Sequence, residues 1–461
     1  MADKVTVNYV DLEDKGTCYL TNEQLDYFGL NGSTEYIIFV LGTASVYLKK
    51  VIVDSNKMNS YKLYLSKDIE SQLYLKQDTV LQIKKIDDEH LQIGPYIGIF
   101  INQEKIKLLT SGKSVTEYTQ INAACKCLNG LSCFFSLENI DWNKKLVQGL
   151  IREKSRWIVQ TLPLPLIIYD RNVENNCRVE SIELRKRLEG ICKILNPMAK
   201  LAKWETIKAI EKNSKLFSII PTTIKYKNYN DLESFLKLYP SLYLKPDSLS
   251  KGKGIFRVSK TQNQEYKIDY RTSEANHTVS LKSLRNLEIL ISQYWEKGDG
   301  YIIQQEINKA IFRGNTFDFR VLFQKDFQGV WQLSGAAGRI AEKGSIITSP
   351  RSGGAVEDFE TILKEVFDEN LTRPNGLYQN IVNLGREICL SLENQFGDCI
   401  ELGLDMAVDM NKKIWLIEVN GKPLKVSLKR LGNSEIIARC NKRPIEYAVK
   451  LAGFVSEETY G

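Results

Sequence analysis

Residues 401–423 read Glu-Leu-Gly-Leu-Asp-Met-Ala-Val-Asp-Met-Asn-Lys-Lys-Ile-Trp-Leu-Ile-Glu-Val-Asn-Gly-Lys-Pro. Two runs with alternating apolar residues flank Asn411-Lys412, a pair able to serve as a two-residue hairpin turn. With that turn, Asp405 stands directly opposite Glu418, with Cβ atoms about 5 Å apart. Asn420 lies on the same face, one pleat further along. Two carboxylates held so close repel by up to about 1 kcal/mol when exposed, and by more when desolvated. A hard divalent cation bound to phosphate oxygens relieves that repulsion, and Asp, Glu and Asn oxygens are ligands that Mg2+ takes. The alternative is an exposed sheet edge with one carboxylate paired to a lysine. The apolar neighbours Leu404, Met406, Ile417 and Val419 argue against full exposure.

Upstream, Phe317-Asp-Phe-Arg-Val-Leu-Phe323 predicts a strand on which Asp318 and Arg320 share a face. Arg320 can reach a transferring phosphoryl group or a developing oxyanion. Arg339 and the Arg351-Ser-Gly-Gly354 loop could anchor a carboxylate or phosphate, although each alone also reads as a surface ion pair. Tyr301-Ile-Ile-Gln-Gln-Glu-Ile307 predicts a buried strand that turns polar at its end. Further back, a strand ending in Lys245 runs into the Ser/Gly/Lys loop of residues 248–254, and a second strand follows at Ile255. Gly252 and Gly254 let backbone N–H groups approach phosphate oxygens, and Lys245, Lys251 and Lys253 supply charge. A Walker A loop opens a helix, whereas this one opens a strand, so the P-loop reading fails. A flap over a triphosphate fits, and a plain hairpin with a basic tip is the alternative.

Composition bounds these readings. The 461 residues suffice for two or three domains, and 43% apolar with 26% charged residues is ordinary for a globular chain. The net charge of +7 is spread along the sequence and calls for no nucleic acid. Tyr36–Leu48 is too short to span a bilayer, and the first residues carry no apolar signal region, so a cytoplasmic chain without membrane contact is expected. The closest group of the nine cysteines, Cys125, Cys127 and Cys133, lacks zinc-site spacing, and reduced thiols are expected. With only His90 and His277 present, chemistry must rest on carboxylates, lysines, arginines and backbone.

Residues 1–92 hold many short β-rich runs and read as a small β-domain. Residues 93–197 alternate strands and helices, with a helix near Glu117–Leu128, strands at Leu131–Phe135 and Pro165–Arg171, and a helix over Glu180–Leu195. That pattern indicates an α/β layer with parallel strands. Beyond it, strands and helices alternate around the motifs above, and the stripes Phe359/Ile362/Leu363/Val366/Phe367 and Ile381/Leu384/Ile388/Leu392/Phe396 are core faces of helices. The fold class is a multidomain α+β and α/β protein.

Read in order, these segments resemble an ATP-grasp domain, and within that fold the YheC/YheD family of endospore coat-associated proteins. The resemblance extends to Ile93-Gly-Pro-Tyr-Ile-Gly98, Ile168-Tyr-Asp-Arg-Asn172 and Lys203-Trp-Glu-Thr206. It implies an ATP-grasp domain over 198–461 with two lobes gripping ATP, preceded by an α/β pre-ATP-grasp domain over 93–197. Lys203 and Lys245 match phosphate-holding lysines, and Gln304, Gln305, Glu306 and Ile307 match the adenine hinge. Asp318 and the flap residues Ser248, Ser250, Lys251, Gly252, Lys253 and Gly254 complete the nucleotide set. Asp405, Glu418 and Asn420 match ligands of one or two Mg2+ ions, and Arg320 matches the phosphate-facing arginine. Arg320 and, on the reading of the residues given above, Arg339 are the catalytic candidates. Tyr169-Asp-Arg-Asn172 and Gly421-Lys-Pro-Leu424 depart from the family's usual wording. The implied activity is ADP-forming ligation of a small-molecule or peptide carboxylate to an amine through an acylphosphate, in a setting that includes the spore coat and its components. A phosphotransferase acting on a hydroxyl and a non-catalytic coat protein are the alternatives.

Overall fold

The computed structural model of the protein describes residues 4–11, 14–30, 32, 34–54, 58–173, 177–196, 201–248, 254–263, 265–272, 275–293 and 300–455. It divides into two compact units, one of residues 1–199 with 325–330 and 441–461, the other of residues 200–324 with 331–440. The segment after residue 198 is therefore not one compact body to its end. Among the described residues no helix is long and apolar enough to cross a membrane.

In the first unit, seven strands between Lys4 and Gly94 close into a barrel, Lys4–Val10 pairing with both Lys62–Ser66 and Val80–Lys85. Alternation drives the closure: in Ala44–Val53, Val46 and Leu48 point inward while Tyr47 and Lys49 are exposed. The next sheet has parallel strands Leu131–Phe135, Tyr96–Phe100, Ile167–Asp170 and Lys193–Leu195, as the alternating pattern implied. The helix expected over Glu180–Leu195 is instead Cys177–Leu188. Gly190, at φ 72°, breaks the helical path, and Leu195 ends a strand.

The second unit contains two antiparallel sheets. The first, here the lysine sheet, has the order Thr223–Lys225, Tyr301–Gln305, Ser241–Pro246, Phe256–Lys260, Tyr266–Arg271, Asn276–Leu281. One face packs Leu242, Leu244, Val258 and Ile303 against helices Tyr229–Leu238 and Arg285–Ser292 through Phe235 and Leu287. Each such buried side chain is worth about 2 kcal/mol. The other face is polar, with an unbroken row Thr223, Gln304, Tyr243, Arg257, Asp269 and Thr278 crossing all six strands.

The second, here the carboxylate sheet, has the order Ala355–Asp358, Trp331–Ile340, Asn315–Lys325, Glu401–Val408, Ile414–Asn420. The apolar stripes pack helices Phe359–Phe367 and Leu377–Phe396 onto it. Phe359 meets Phe319 edge-on at 4.8 Å between ring centres. At Gly385 a Cβ would fall 2.2 Å from the Phe323 ring, so glycine permits the close helix–sheet approach.

The two lysine-bearing segments are stitched together locally. Ala202 begins helix Lys203–Glu211 without a capping side chain, and Asp247 caps it from a distant strand end. Asp247 Oδ1 accepts the Trp204 N–H at 2.8 Å, and its backbone oxygen accepts the Lys203 N–H at 3.1 Å. Asp247 follows Lys245 by two residues, so the cap fixes the spacing of both lysines. We predict that Asp247→Ala costs about 1 kcal/mol in urea unfolding, the usual worth of an N-cap. Asp247→Asn should retain most of that stability, and equal losses in the two variants would contradict the cap.

Candidate functional site

The hairpin of residues 401–420 differs from the two-residue turn expected at Asn411-Lys412. Lys412 N–H donates to Asp409 O at 3.0 Å, Lys412 sits at φ 62°, and Asp409 N–H donates to Lys413 O at 3.0 Å. The loop is therefore the three residues Met410–Lys412. Asp409 favours it because its Oδ1 accepts from Asn411 N–H at 2.9 Å and Lys413 N–H at 3.0 Å. The extra residue shifts the pairs near the turn to Val408 with Ile414 and Met406 with Leu416. A bulge leaving Ile417 unpaired then restores the register, so Asp405 still faces Glu418 and Gly403 faces Asn420.

Arg320 is the next member of that row, paired across its strand with Asp405. Its guanidinium grips the carboxylate in bidentate fashion, Nε to Oδ1 at 2.5 Å and Nη2 to Oδ2 at 3.1 Å. Arg339 adds Nη2 to Asp405 Oδ2 at 3.0 Å and donates Nε–H to Asp318 Oδ1 at 2.6 Å. The Thr348 hydroxyl donates to Asp318 Oδ2 at 2.5 Å. Burial alone would raise the pKa of Asp405, but Arg320 and Arg339 outweigh it and hold the carboxyl below its ordinary value. Burial likewise opposes the charge on Arg339, and Asp318 and Asp405 more than offset it, raising its pKa. Glu418 Oε1 lies 3.4 Å from Lys203 Nζ.

Across from this cluster, Lys245 donates to Gln304 Oε1 at 2.6 Å, and Gln304 Nε2 donates to Thr223 Oγ1 at 3.0 Å. Burial pulls the Lys245 pKa down to about 7; Glu418 opposes the fall, while Lys309 and Lys203 add to it.

One cavity of about 150 Å³ joins the two sheets of this unit. From the lysine side it is lined by Lys203, Tyr243, Lys245, Gln304, Gln305 and Ile307, and from the carboxylate side by Asp318, Arg320, Arg339, Asp405, Glu418 and Asn420. Glu306 points elsewhere: its carboxylate takes Arg257 Nε–H at 2.7 Å and the Ser241 hydroxyl. Ser248 and Gly254 are not among the lining residues, and Ser250, Lys251, Gly252 and Lys253 lie outside the described residues. Arg351, on the short 3-10 helix Pro350–Ser352, is exposed and not among the lining residues. The lining also includes Lys309, Thr348 and Ser349, which no motif had singled out. Tyr243 was within reach of sequence reasoning, because it lies two residues from Lys245 on one strand face.

The charged lining residues are Lys203, Lys245, Lys309, Arg320 and Arg339 against Asp318, Asp405 and Glu418. Among the described residues this leaves the cavity positive, the sign that attracts a phosphate chain. No cluster of three or more His, Cys, Asp or Glu side chains suited to a metal occurs among the described residues. The candidate set is two carboxylates and an amide, which suits an ion that takes its remaining ligands from phosphate and water. Two observations fit Mg2+. Asn420 Nδ2 is buried without a hydrogen-bond partner, and turning the amide over presents its oxygen at that place. The arginines occupy three of about four lone-pair positions on Asp405, leaving one for a cation.

The chain is 24% identical over 391 residues to the endospore coat-associated protein YheD of Bacillus subtilis (strain 168), covering 80% of this chain and 81% of that protein. It is 21% identical over 247 residues to the endospore coat-associated protein YheC of the same organism, covering 53% of this chain and 66% of that protein. Among solved structures, D-cycloserine synthetase DcsG is similar at 10% identity and a TM-score of 0.47, over 77% of this chain and 99% of that one. Residues 192–451 match the family described as YheC/D like ATP-grasp, and with more than half of its length inside that match the chain belongs to this family.

Proposed function

We propose that this protein is an ADP-forming ligase that uses ATP to activate a carboxylate for attack by an amine. The observation that carries the proposal is the row Arg320, Asp405, Glu418, with Asp405 buried at its centre, lining one positive cavity with two lysines in an ATP-grasp chain. In this reading Lys203 and Lys245 bind the phosphate chain, and the segment Gln304–Ile307 lies along the adenine. Asp405, Glu418 and Asn420 would hold magnesium, which when bound screens the triphosphate and polarises its terminal phosphoryl group. Arg320 and Arg339 are fixed by Asp405 and Asp318 before substrate arrives, so stabilising the transferring phosphoryl group and the later oxyanion requires no reorganisation.

The bonds balance without covalent participation by protein. A substrate carboxylate oxygen attacks the γ-phosphorus, the bridging P–O bond breaks, and ADP leaves. The amine nitrogen then attacks the acylphosphate carbonyl carbon, a C–N bond forms, and phosphate departs with loss of one proton from nitrogen to solvent or base. Positioned cations and excluded water supply most of what such steps need, which suits a chain with two histidines. The names of YheD and YheC associate those proteins with the endospore coat, and we extend that setting to this chain.

Magnesium with a non-hydrolysable ATP analogue should raise the thermal midpoint, since ligand at a hundredfold excess over Kd adds about 2.7 kcal/mol. Glu418→Gln, nearly isosteric, should keep the fold and lose the increment that magnesium adds; an unchanged increment would count against the ligand set. Mass analysis of products formed from ATP and mixed carboxylates and amines should show an amide with ADP, whereas a phosphate ester would establish a phosphotransferase. Because the Lys245 pKa lies near 7 in the free site, a phosphate chain must recharge it at higher pH. Calorimetry at pH 8 in buffers of different ionisation enthalpy should register proton uptake on ATP binding, absent in Lys245→Met. No uptake by the unaltered protein would contradict that placement of the lysine.

A further inference from the structure

The motifs account for four of the five cations that line the cavity; the fifth is Lys309. Its backbone is fixed immediately after the hinge strand Tyr301–Gln305. Lys309 N–H donates to Ile307 O at 2.9 Å, Ala310 N–H donates to Val408 O at 2.9 Å, and Lys309 forms a β-bridge with Asp409. The hinge is thereby tied to the strand that carries Asp405, and the Lys309 side chain lines the same space as Lys203 and Lys245.

The three lysines differ in their counterparts. Lys245 donates to Gln304, and Lys203 lies near Glu418. Among the described residues Lys309 makes no side-chain hydrogen bond or ion pair. Half-buried beside a lysine whose charge it disfavours, it has no structural work to do there. Five cations facing three carboxylates leave an excess of positive charge in the cavity, and that excess costs stability unless a ligand supplies the balancing anion. A plain surface lysine would turn outward to full hydration, as lysine stems readily allow.

We propose that Lys309 is a third lysine binding the phosphate chain of the nucleotide, a position that no family motif marks in this sequence. The inference rests on the reading of the cavity as an ATP site, and specifies which part of the ligand this side chain recognises. A phosphate contact is charge-dependent and blind to the base, so it predicts a loss confined to phosphorylated ligands.

The test is calorimetry of the full chain with magnesium and either ATP or adenosine, for the unaltered protein, Lys309→Gln and Lys309→Arg. ATP affinity should fall about tenfold in Lys309→Gln, equivalent to about 1.4 kcal/mol. Adenosine affinity should not change, and Lys309→Arg should recover most of the ATP affinity. Equal ATP affinity in the glutamine variant would overturn the role of Lys309 while leaving the nucleotide site standing. A parallel fall for adenosine would overturn it in favour of a general disturbance of the hinge. Failure of the unaltered protein to bind ATP would remove the nucleotide reading and this inference with it.

Discussion

Two carboxylates lie opposite each other on neighbouring strands, and the second unit is arranged around making that tolerable. Asp405 is buried, so its charge survives only because Arg320 and Arg339 bring three N–H donors to it. Removing one partner of such a buried pair typically costs about 3–5 kcal/mol, because the remaining charge is stranded. Evolution could reach equal stability with apolar residues at these positions, so the cluster is poorly explained by folding alone. Arg339 is held in turn by Asp318, and Asp318 by Thr348, which extends the same charge balance into the loop after Ile340. The arrangement fixes Arg320, Arg339 and Asp405 against one another.

The facing sheet obeys a complementary rule. Its apolar side is covered by two helices, leaving the polar row from Thr223 to Thr278 on the cavity side. Gln304 joins Thr223 to Lys245, while Arg257 joins Glu306 to Asp269, and Asp269 takes the Thr278 hydroxyl at 2.7 Å. Satisfied networks of this kind stiffen a surface. Here the network leaves lysine ammonium groups as the charged elements pointing into the cavity, opposite the carboxylates.

Much of this was legible in the chain because strand periodicity and local chemistry agree. Alternation placed Asp318 with Arg320 and Asp405 with Asn420 on shared faces, and the helical stripes at Phe359 and Ile381 are core faces. Asp405 pairs with Glu418 even though the loop is one residue longer than the expected two-residue turn. Asp409 draws the chain into a three-residue loop, and the bulge at Ile417 cancels the offset. The helix expected to reach Leu195 failed at Gly190, where a positive φ outweighs a continuing apolar pattern. What stayed hidden depends on contacts between distant segments: the cap that Asp247 gives to Lys203, the Thr348 bond to Asp318, and the presence of Lys309 in the cavity. None of these has a signature within a sequence window, because each joins segments far apart in the chain.

The proposed ligase chemistry requires oxygen atoms of Asp405, Glu418 and Asn420 to converge on one divalent cation. Crystals grown with Mn2+ and a non-hydrolysable ATP analogue, measured at the manganese absorption edge, test this directly. The prediction is an anomalous peak about 2.0–2.3 Å from oxygens of these three side chains and of the terminal phosphates. A nucleotide bound with the peak elsewhere, or with Asp405 and Glu418 turned from it, would contradict the account.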